Sequence, residues 1–359
     1  MKVCILGNGL TALTLAKALT KQNIYVDVLY NKKNVGIEKT RTIGISNSNI
    51  DFLNKNIINI DKLLWKLKKI EIFSDNLKRE KLINFQKNNE QIFAIIKNYE
   101  LYQILEQDLA INKYFKLKHL SLKNLSFIDK YDLVVNCDSS NFITKKYFNK
   151  KISKKYYSNA YTTIITHEKI LNNSAVQIFT NKGPLAFLPI SNTKTSIVYS
   201  VPNSNKETIE NIEKLIKERN IKYKIKSIKK IHNFELNFFN LRSYYHNNIL
   251  AFGDLLHKIH PFAGQGFNMN IRDLKLLLNI IKNKIDVGLP LDKSVNVEFQ
   301  NKAKHKNYIF SHGVDLIHEF FTVERKINNE FLSKSVQFFG KFPKINKIFS
   351  KIADKGFIF

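Results

Sequence analysis

Residues 253–268, GDLLHKIHPFAGQGFN, bring a carboxylate, two imidazoles, a proline and a Gly-Gln-Gly step into one short stretch. Its glycine content argues against a helix interior, and its irregular pattern argues against a strand. Asp254 and Gly253 close a buried apolar run, 247–254, that reads as a strand. In open α/β sheets, ligands sit at the carboxyl ends of the strands. A carboxylate placed there can accept hydrogen bonds from sugar or ribityl hydroxyls, and Gly253 leaves room for the ligand beside it. Pro261 stiffens the loop, and Gly264-Gln265-Gly266 opens a helix beginning near Asn268. That helix points its positive end into the crevice, where a flat ring that becomes anionic on reduction gains up to ~2 kcal/mol. His257 and His260 offer metal ligation as an alternative. No cysteine or third histidine clusters with them, which disfavours a metal.

A second constellation stands at the start of the chain. Gly7 permits a tight turn, and Gly9 lets the backbone approach a pyrophosphate on the first turn of a helix. Ala12 takes the third glycine place of that fingerprint. The acid expected about 20 residues further on, for ribose hydroxyls, is replaced by Tyr30 with Asn31 beside it.

The elements that must position these residues can be read from hydrophobic periodicity. Val3 to Leu6 is a short strand. A helix with Leu10, Leu13, Ala16 and Leu19 on one face follows, and Ile24 to Tyr30 closes a βαβ unit. The stretch 131–141 is a buried strand ending in Asp138, and 99–110 is a helix. A strand beginning at Arg41 leads into a helix capped by Ser46 or Ser48. The segment 174–201 is all-β, with turns at Gly183-Pro184 and around Asn192, and everything after 268 is helical. Strands of the nucleotide-binding type recur near 3, 131 and 249 with antiparallel strands between them, so the sheet is assembled from distant segments.

Composition sets the outer limits. The chain has 359 residues and is 44% hydrophobic, enough for a large core. Cys4 and Cys137 lie in separate apolar runs and read as buried hydrophobes in a reducing compartment. No apolar run is long enough to span a membrane. The N-terminal run could pass for a signal peptide, but Gly7 and Gly9 favour a structural strand. The formal net charge is +28. A solvated lysine surface is the simplest reading, and attraction to an anionic membrane comes next. Nucleic-acid binding, suggested by lysines and aromatics interleaved over 145–161, comes last because no nucleic-acid motif accompanies them.

GDLLHKIHPFAGQGFNMNIRD, 253–273, resembles the second flavin-binding motif of the para-hydroxybenzoate hydroxylase superfamily. Within it, the stretch is most similar to the ubiquinone-biosynthesis hydroxylases. The likeness lies at Gly253, Asp254, His257, His260, Pro261, Ala263, Gly264, Gln265, Gly266, Asn268, Arg272 and Asp273. Gly7, Gly9 and Ala12 resemble the first flavin motif, and RTIGIS resembles the segment after it, with Arg41 at the arginine. YDLVVNCDSS resembles the Asp-Gly motif, with Asp138 at the acid and Ser139 in place of glycine. GPLAFLPI and SIVYS resemble the sheet that roofs the substrate pocket.

The resemblance implies a Rossmann-type α/β FAD-binding domain built from 1–70, 95–150 and 240–290. An inserted β-sheet substrate domain would span 71–94 and 151–239, and a helical C-terminal region 291–359. It implies that Asp254 holds the ribityl chain and that Pro261 with the backbone of Gly264, Gln265 and Gly266 lines the isoalloxazine. Asn268 would sit at the pyrimidine edge. Asp138 could equally cap a turn after its strand, and an ordinary surface position is the less favoured reading of Arg41 against a phosphate or flavin contact. The implied activity is hydroxylation of a polyprenylated phenol in ubiquinone biosynthesis through a flavin hydroperoxide. FAD, dioxygen and NAD(P)H or another electron donor are required. The catalytic base stays open among Tyr199, His260 and water. The alternatives are another FAD oxidoreductase, such as a prenyl-chain reductase or halogenase, or a flavin-fold scaffold in a complex of quinone-biosynthesis proteins.

A greasy substrate implies docking at the inner face of the cell membrane by a cytoplasmic, peripheral protein. The tail carries Phe331, Phe338, Phe339, Phe342, Ile348, Phe349, Phe357 and Phe359 among lysines. It suits an interfacial helix, or equally a helix packed on the core.

Overall fold

The computed structural model describes residues 1–31, 38–77, 80–86, 90–119, 128–203, 208–261, 264–327 and 331–340, with 342, 347, 351–352 and 354–356 beyond. Among them the strands form three sheets. The first runs, edge to edge, Tyr245–His246, Ile249–Ala251, Leu133–Asn136, Lys2–Leu6, Tyr25–Tyr30 and Phe115–His119. Only its outer hairpin, at 245–251, is antiparallel. Val3 to Leu6 and Leu133 to Val135 are fully buried, as expected of parallel strands covered on both faces. Helices Leu10–Thr20, Asn98–Ala110 and Gln265–Asp286 contribute Leu13, Leu105 and Leu277 to the same core. The α/β fold expected from the sequence is the fold found.

Register is what makes a crevice. Leu6 lies opposite Asn136, and Asn136 lies opposite Ala251. Three strands from distant parts of the chain therefore end level, and the loops at Gly7, Cys137 and Gly253 leave the same edge of the sheet.

The second sheet collects Lys151–His167, Ser174–Thr180, Gly183–Pro189, Lys194–Pro202, Ile225–Ile228 and His232–Leu241. It is joined by Lys69–Ser74, Lys81–Gln86 and the two-residue strand His257–Lys258. Its pairs are antiparallel except Lys69–Ser74 with Ser174–Thr180. It has its own core around Ile165, Phe187, Ile197 and Tyr199. His257–Lys258 pairs with His232–Leu241, so the loop that follows the crevice strand is tied to the second sheet. A small sheet of Thr42–Ser46, Phe93–Lys97 and Trp65–Leu67 stands beside them. The C-terminal part is helical over Lys293–Ile327 and Phe331–Gly340.

Three local expectations need correction. The late helix begins at Gln265, a turn earlier than Asn268, because Gly264 adopts φ +63° and redirects the chain one residue before it. The reversal near 183 falls at Asn181-Lys182. Gly183 and Pro184 already pair with Thr180 and Phe179 as strand residues, and Thr180 Oγ1 accepts from the Lys182 and Gly183 amides. Helix Asn47–Asn56 follows Ser46, yet neither Ser46 nor Ser48 caps it with a side chain. The cap comes from Asp354, whose Oδ1 accepts from Ser48 N at 2.9 Å.

Gly253 shows how tightly the crevice strand is fitted. Its φ is +68°, and a Cβ there would lie 2.7 Å from Thr11 Cγ2. Gly253→Ala is expected to destabilise the fold by about 1–3 kcal/mol from backbone strain, with the clash added. Adding Thr11→Ser, which removes the methyl and keeps the hydroxyl, recovers the clash and not the strain. Chemical denaturation of the three proteins measures both parts. Equal stability of Gly253→Ala and the unsubstituted chain contradicts this fit.

Candidate functional site

Two helix N-termini open onto the crevice. At the first, Gly7 (φ +98°) donates its N–H to Leu29 O at 2.8 Å and packs against the Asp138 backbone. Gly9 then precedes helix Leu10–Thr20 in extended conformation, with no side-chain cap and no acid in the first turn. A Cβ at Gly9 would meet nothing within 4 Å. Ala12 is buried where the helix packs on the sheet.

The second N-terminus follows Pro261, whose carbonyl accepts from Gly264 N at 3.4 Å. Phe262 and Ala263 lie outside the described residues. Gly264 sits so close to Gly44 that a Cβ would lie 2.9 Å from the Gly44 amide nitrogen. Gln265 is buried and accepts from Arg272 Nη2 at 3.4 Å, whereas Gly266 faces open space. Burial pushes the Arg272 guanidinium down to about 10, against the pull of Asp273 and Asp354.

Asn268 is fully buried and every arm of its amide is used. Its Oδ1 accepts from Ser46 N at 3.0 Å and from Asn49 Nδ2 at 2.8 Å. Its Nδ2 donates to Gly44 O at 2.9 Å and Gly264 O at 3.0 Å. The side chain thus fastens strand Thr42–Ser46 to the turn.

Between the helix ends stands Asp254, exposed, with Oδ1 accepting from Asn270 Nδ2 at 2.7 Å. Asn270 also donates to Thr11 Oγ1 at 3.2 Å, linking Asp254 to the first helix. Its Oδ1 is buried and has no hydrogen-bond partner among the described residues. Cys137 lies nearby: burial, then the charges of Asp254 and Asp138, push its thiol up. Asp138 closes a turn, accepting from Ser140 N and Oγ, both at 2.7 Å.

Other expected residues stand further out. Tyr30 ends its strand with its ring edge-on to His119, centroids 5.5 Å apart. Arg41 is exposed, its guanidinium 5.2 Å from the Phe234 ring centre. Tyr199 is fully buried in the core of the second sheet, its hydroxyl 3.2 Å from Thr180 Oγ1. His257 and His260 diverge. His257 Nε2 meets Asp273 Oδ2 at 2.8 Å, and Asn307 donates to the other oxygen at 2.9 Å, which makes a buried structural triad. His260 is buried against the rings of Tyr156 and His318. A cluster of metal-ligand type, Asp315, His318 and Glu319, already holds a cation, for Lys154 Nζ reaches Asp315 at 3.2 Å and Glu319 at 2.6 Å.

Sequence reasoning missed Gly44, Asn270 and Thr11. Gly44 stood inside the quoted RTIGIS, and Asn270 lies two residues past Asn268 in the same helix. The contacts of Gly44 with Asn268 and of Thr11 with Asn270 join residues more than 200 positions apart, so no local pattern could show them, and the Asn270–Asp254 bond, sixteen residues apart, crosses the turn between strand and helix. The arrangement fits an elongated anionic cofactor. Gly9 and Gly266 face empty space, two helix ends supply N–H groups, a carboxylate stands between them, and a buried amide oxygen lacks a partner.

The chain matches the FAD binding domain family over residues 170–285. It is 22% identical over 426 aligned positions to the ubiquinone biosynthesis monooxygenase COQ6, mitochondrial, of Drosophila melanogaster, covering 97% of this chain and 88% of that protein. It is 25% identical over 222 positions to the 3-demethoxyubiquinol 3-hydroxylase of Escherichia coli strain K12, covering 60% of this chain and 56% of that one. Among solved structures, p-nitrophenol 4-monooxygenase PnpA from Pseudomonas putida DLL-E4 superposes with a TM-score of 0.78 at 12% identity, covering 98% of this chain and 97% of PnpA. Klebsiella pneumoniae HpxO, complexed with FAD and uric acid, gives 0.75 at 12% identity, covering 99% and 96%. The structural likenesses establish the fold. Fold, family match and relatives together define an FAD-dependent monooxygenase of class A. Within that class the chain is similar to ubiquinone-biosynthesis hydroxylases, at 22–25% identity.

Asn268→Asp tests the fastening. The new carboxyl would be buried against two carbonyl oxygens, which raises its folded pKa above the ~3.9 of an unfolded aspartate. At pH 7 the variant should lose at least ~2 kcal/mol. The loss should shrink relative to the unsubstituted chain as pH falls toward the unfolded value, because the acid form can donate again. Denaturant midpoints at pH 7 and pH 4.5 give the comparison, and a pH-independent loss contradicts the assignment.

Proposed function

We propose that this chain hydroxylates the aromatic ring of a polyprenylated phenol on the route to ubiquinone, with FAD bound in the crevice, dioxygen as co-substrate and NAD(P)H as electron donor. The observation that carries the reading is the convergence of two uncapped, glycine-led helix ends on Asp254 at one sheet edge. The names of the fly and bacterial relatives support a quinone-precursor substrate.

Held in the crevice, FAD would supply the chemistry by which dioxygen gives one oxygen atom to an electron-rich ring. The chain's own residues bind, orient and shield. Gly7, Gly9 and Ala12 let the first helix end approach the pyrophosphate, and Asp138 shapes the floor beneath Gly7. Asp254 would accept from the ribityl hydroxyls, while Gly253, whose missing side chain leaves room for Thr11 rather than for a ligand, lets the strand end close on the first helix. Pro261 and the main chain of Gly264, Gln265 and Gly266 would hold the ring, and the second helix end would stabilise negative charge there. Asn268 acts by holding that turn in place. Tyr30 offers a hydroxyl to the adenosine side, and Arg41 a charge at the rim.

A membrane-borne substrate calls for a surface that meets lipid. Helix Lys293–Ile327 buries Phe310, Val314 and Phe321, yet it also exposes Ile309 (41%), Leu316 (68%) and Val323 (43%). Apolar residues on both faces leave one face in want of cover. Of the tail aromatics, Phe338 and Phe342 are exposed, their rings 5.2 Å apart. The side chains of Phe331 and Phe339, and residues Ile348, Phe349, Phe357 and Phe359, lie outside the described residues. Among the described residues no helix is long and apolar enough to cross a membrane. Anionic lipid beneath this face suits a chain of net charge +28.

The purified chain is expected to be yellow and, with NAD(P)H and air, to add one oxygen atom to a polyprenyl phenol. Asp254→Ala should weaken FAD binding about 10- to 100-fold with the fold intact, read from released-flavin fluorescence and circular dichroism. A colourless chain that stays colourless in excess FAD overturns the reading. Equal retention in the variant overturns the role of Asp254. Leu316→Glu with Val323→Glu should lower co-sedimentation with phosphatidylglycerol vesicles several-fold without changing flavin content, and unchanged sedimentation removes this face as the lipid contact.

A further inference from the structure

The cofactor crevice has a neighbour that motif reading does not connect to it. The last described residues of the chain, 351–352 and 354–356, lie against the back of the turn that leads into helix Gln265–Asp286. Three contacts hold them. Ile352 packs into the cluster of Phe238, Ile259, Met269, Phe310 and Val314, and two of these, Ile259 and Met269, flank the turn in sequence. Gly356 (φ +75°) places its main chain directly against the Arg272 guanidinium. Asp354 reaches the N-terminus of helix Asn47–Asn56. Its carbonyl oxygen accepts from Ser46 Oγ at 2.9 Å and Ser48 Oγ at 2.8 Å, and its Oδ1 accepts from Ser48 N at 2.9 Å.

Ser46 is the shared node. Its hydroxyl is held by Asp354, while its amide donates to Asn268 Oδ1 at 3.0 Å. Asn268 in turn ties Gly44 to Gly264. Two residues, Ser46 and Asn268, therefore separate the Asp354 main-chain carbonyl from the main chain that lines the crevice, and the Asp354 carboxylate pins that carbonyl in place by capping Ser48 N.

We propose that Asp354 is a positioning residue for the cofactor: the C-terminal segment straps the Ser46–Asn268–Gly264 network and holds the turn in its flavin-binding shape. The inference rests on the FAD reading above. The helix at 47–56 has no acid in its own first turn and no cap of its own, so the strap supplies both from the far end of the chain. Lys275, which donates to Ser48 O at 3.4 Å, and Arg272 add positive charge around the same carboxylate. Binding linkage makes the coupling reciprocal. If the docked tail favours FAD, FAD must favour the docked tail by the same factor.

The test uses the full-length chain with Asp354→Asn, Asp354→Glu and the unsubstituted protein. FAD affinity is read from flavin fluorescence, and tail docking from the rate of carboxypeptidase trimming with and without FAD. Asp354→Asn should raise the dissociation constant about fivefold to tenfold, with Asp354→Glu recovering part of it. FAD should slow trimming of the unsubstituted tail by a similar factor, and less so in Asp354→Asn. Equal FAD affinity in all three proteins, or trimming indifferent to FAD in a chain that binds it, overturns the strap and leaves the flavin reading standing. A misfolded Asp354→Asn, seen by circular dichroism, leaves the trimming of the unsubstituted chain to decide. An unsubstituted chain without affinity for FAD overturns both.

Discussion

The crevice depends on one main-chain contact, Gly264 against Gly44. A Cβ at residue 264 would fall 2.9 Å from the Gly44 nitrogen, closer than side-chain atoms pack. Two glycines let two backbones touch, but backbones in contact attract each other weakly. The Asn268 amide supplies what contact alone lacks, bonding Gly44 O, Gly264 O and Ser46 N in one buried group. Because that amide is fully paired, its burial stabilises, and losing any arm would strand a buried polar atom. The αL turn at Gly264 then aims the first N–H groups of the following helix at the sheet edge.

The distribution of helix caps follows the same logic. Helices Phe142–Tyr147 and Ile209–Arg219 are capped by the side chains of Asn141 and Thr208. Helix Asn47–Asn56 borrows Asp354. The two helices that open on the crevice are led by Gly9 and Gly264, with neither a side-chain cap nor an acid in the first turn. Uncapped N–H groups are costly unless something accepts from them. Helix Asn98–Ala110 also lacks a side-chain cap but carries Glu100 in its first turn, whereas the two helices that face a space fit for an anionic ligand have neither.

Much of this was legible in the sequence, for a physical reason. Glycines at turns, an acid after a buried strand and apolar periodicity are local constraints, and local constraints leave local patterns. The βαβ unit, the strands near 133 and 249 and the role of 264–266 as a helix start were readable that way. What could not be read was pairing across the chain. Ser46 and Ser48 were sound local candidates for a cap, and they lost to Asp354 because a carboxylate at a helix N-terminus accepts more strongly than a hydroxyl. Gly183-Pro184 looked like a turn, yet Thr180 draws the reversal two residues earlier. Asn268 was expected beside a ligand, and its engagement by Gly44, Ser46 and Asn49 needed the fold to be seen.

The two departures from the family pattern, Ser139 and Tyr30, weigh differently once the backbone is known. A glycine is required where φ is positive or where a Cβ has no room. Among the described non-glycine residues, positive φ occurs at Asn23, Tyr157 and Asn247, and Ser139 is not one of them. Ser139 is exposed besides, so its side chain meets solvent and the turn at Asp138 closes through Ser140 without strain. Tyr30 does remove a carboxylate from the strand end. Yet Tyr102, pushed up to about 12 by burial, also feels the charges of Glu106 and Tyr30, which places all three in one neighbourhood. Glu106 lines a cavity there together with Asn8 of the first glycine loop. A carboxylate of helix Asn98–Ala110, four residues past Tyr102, thus stands in the same neighbourhood as the strand end that lacks one, which no motif counted along the chain could show.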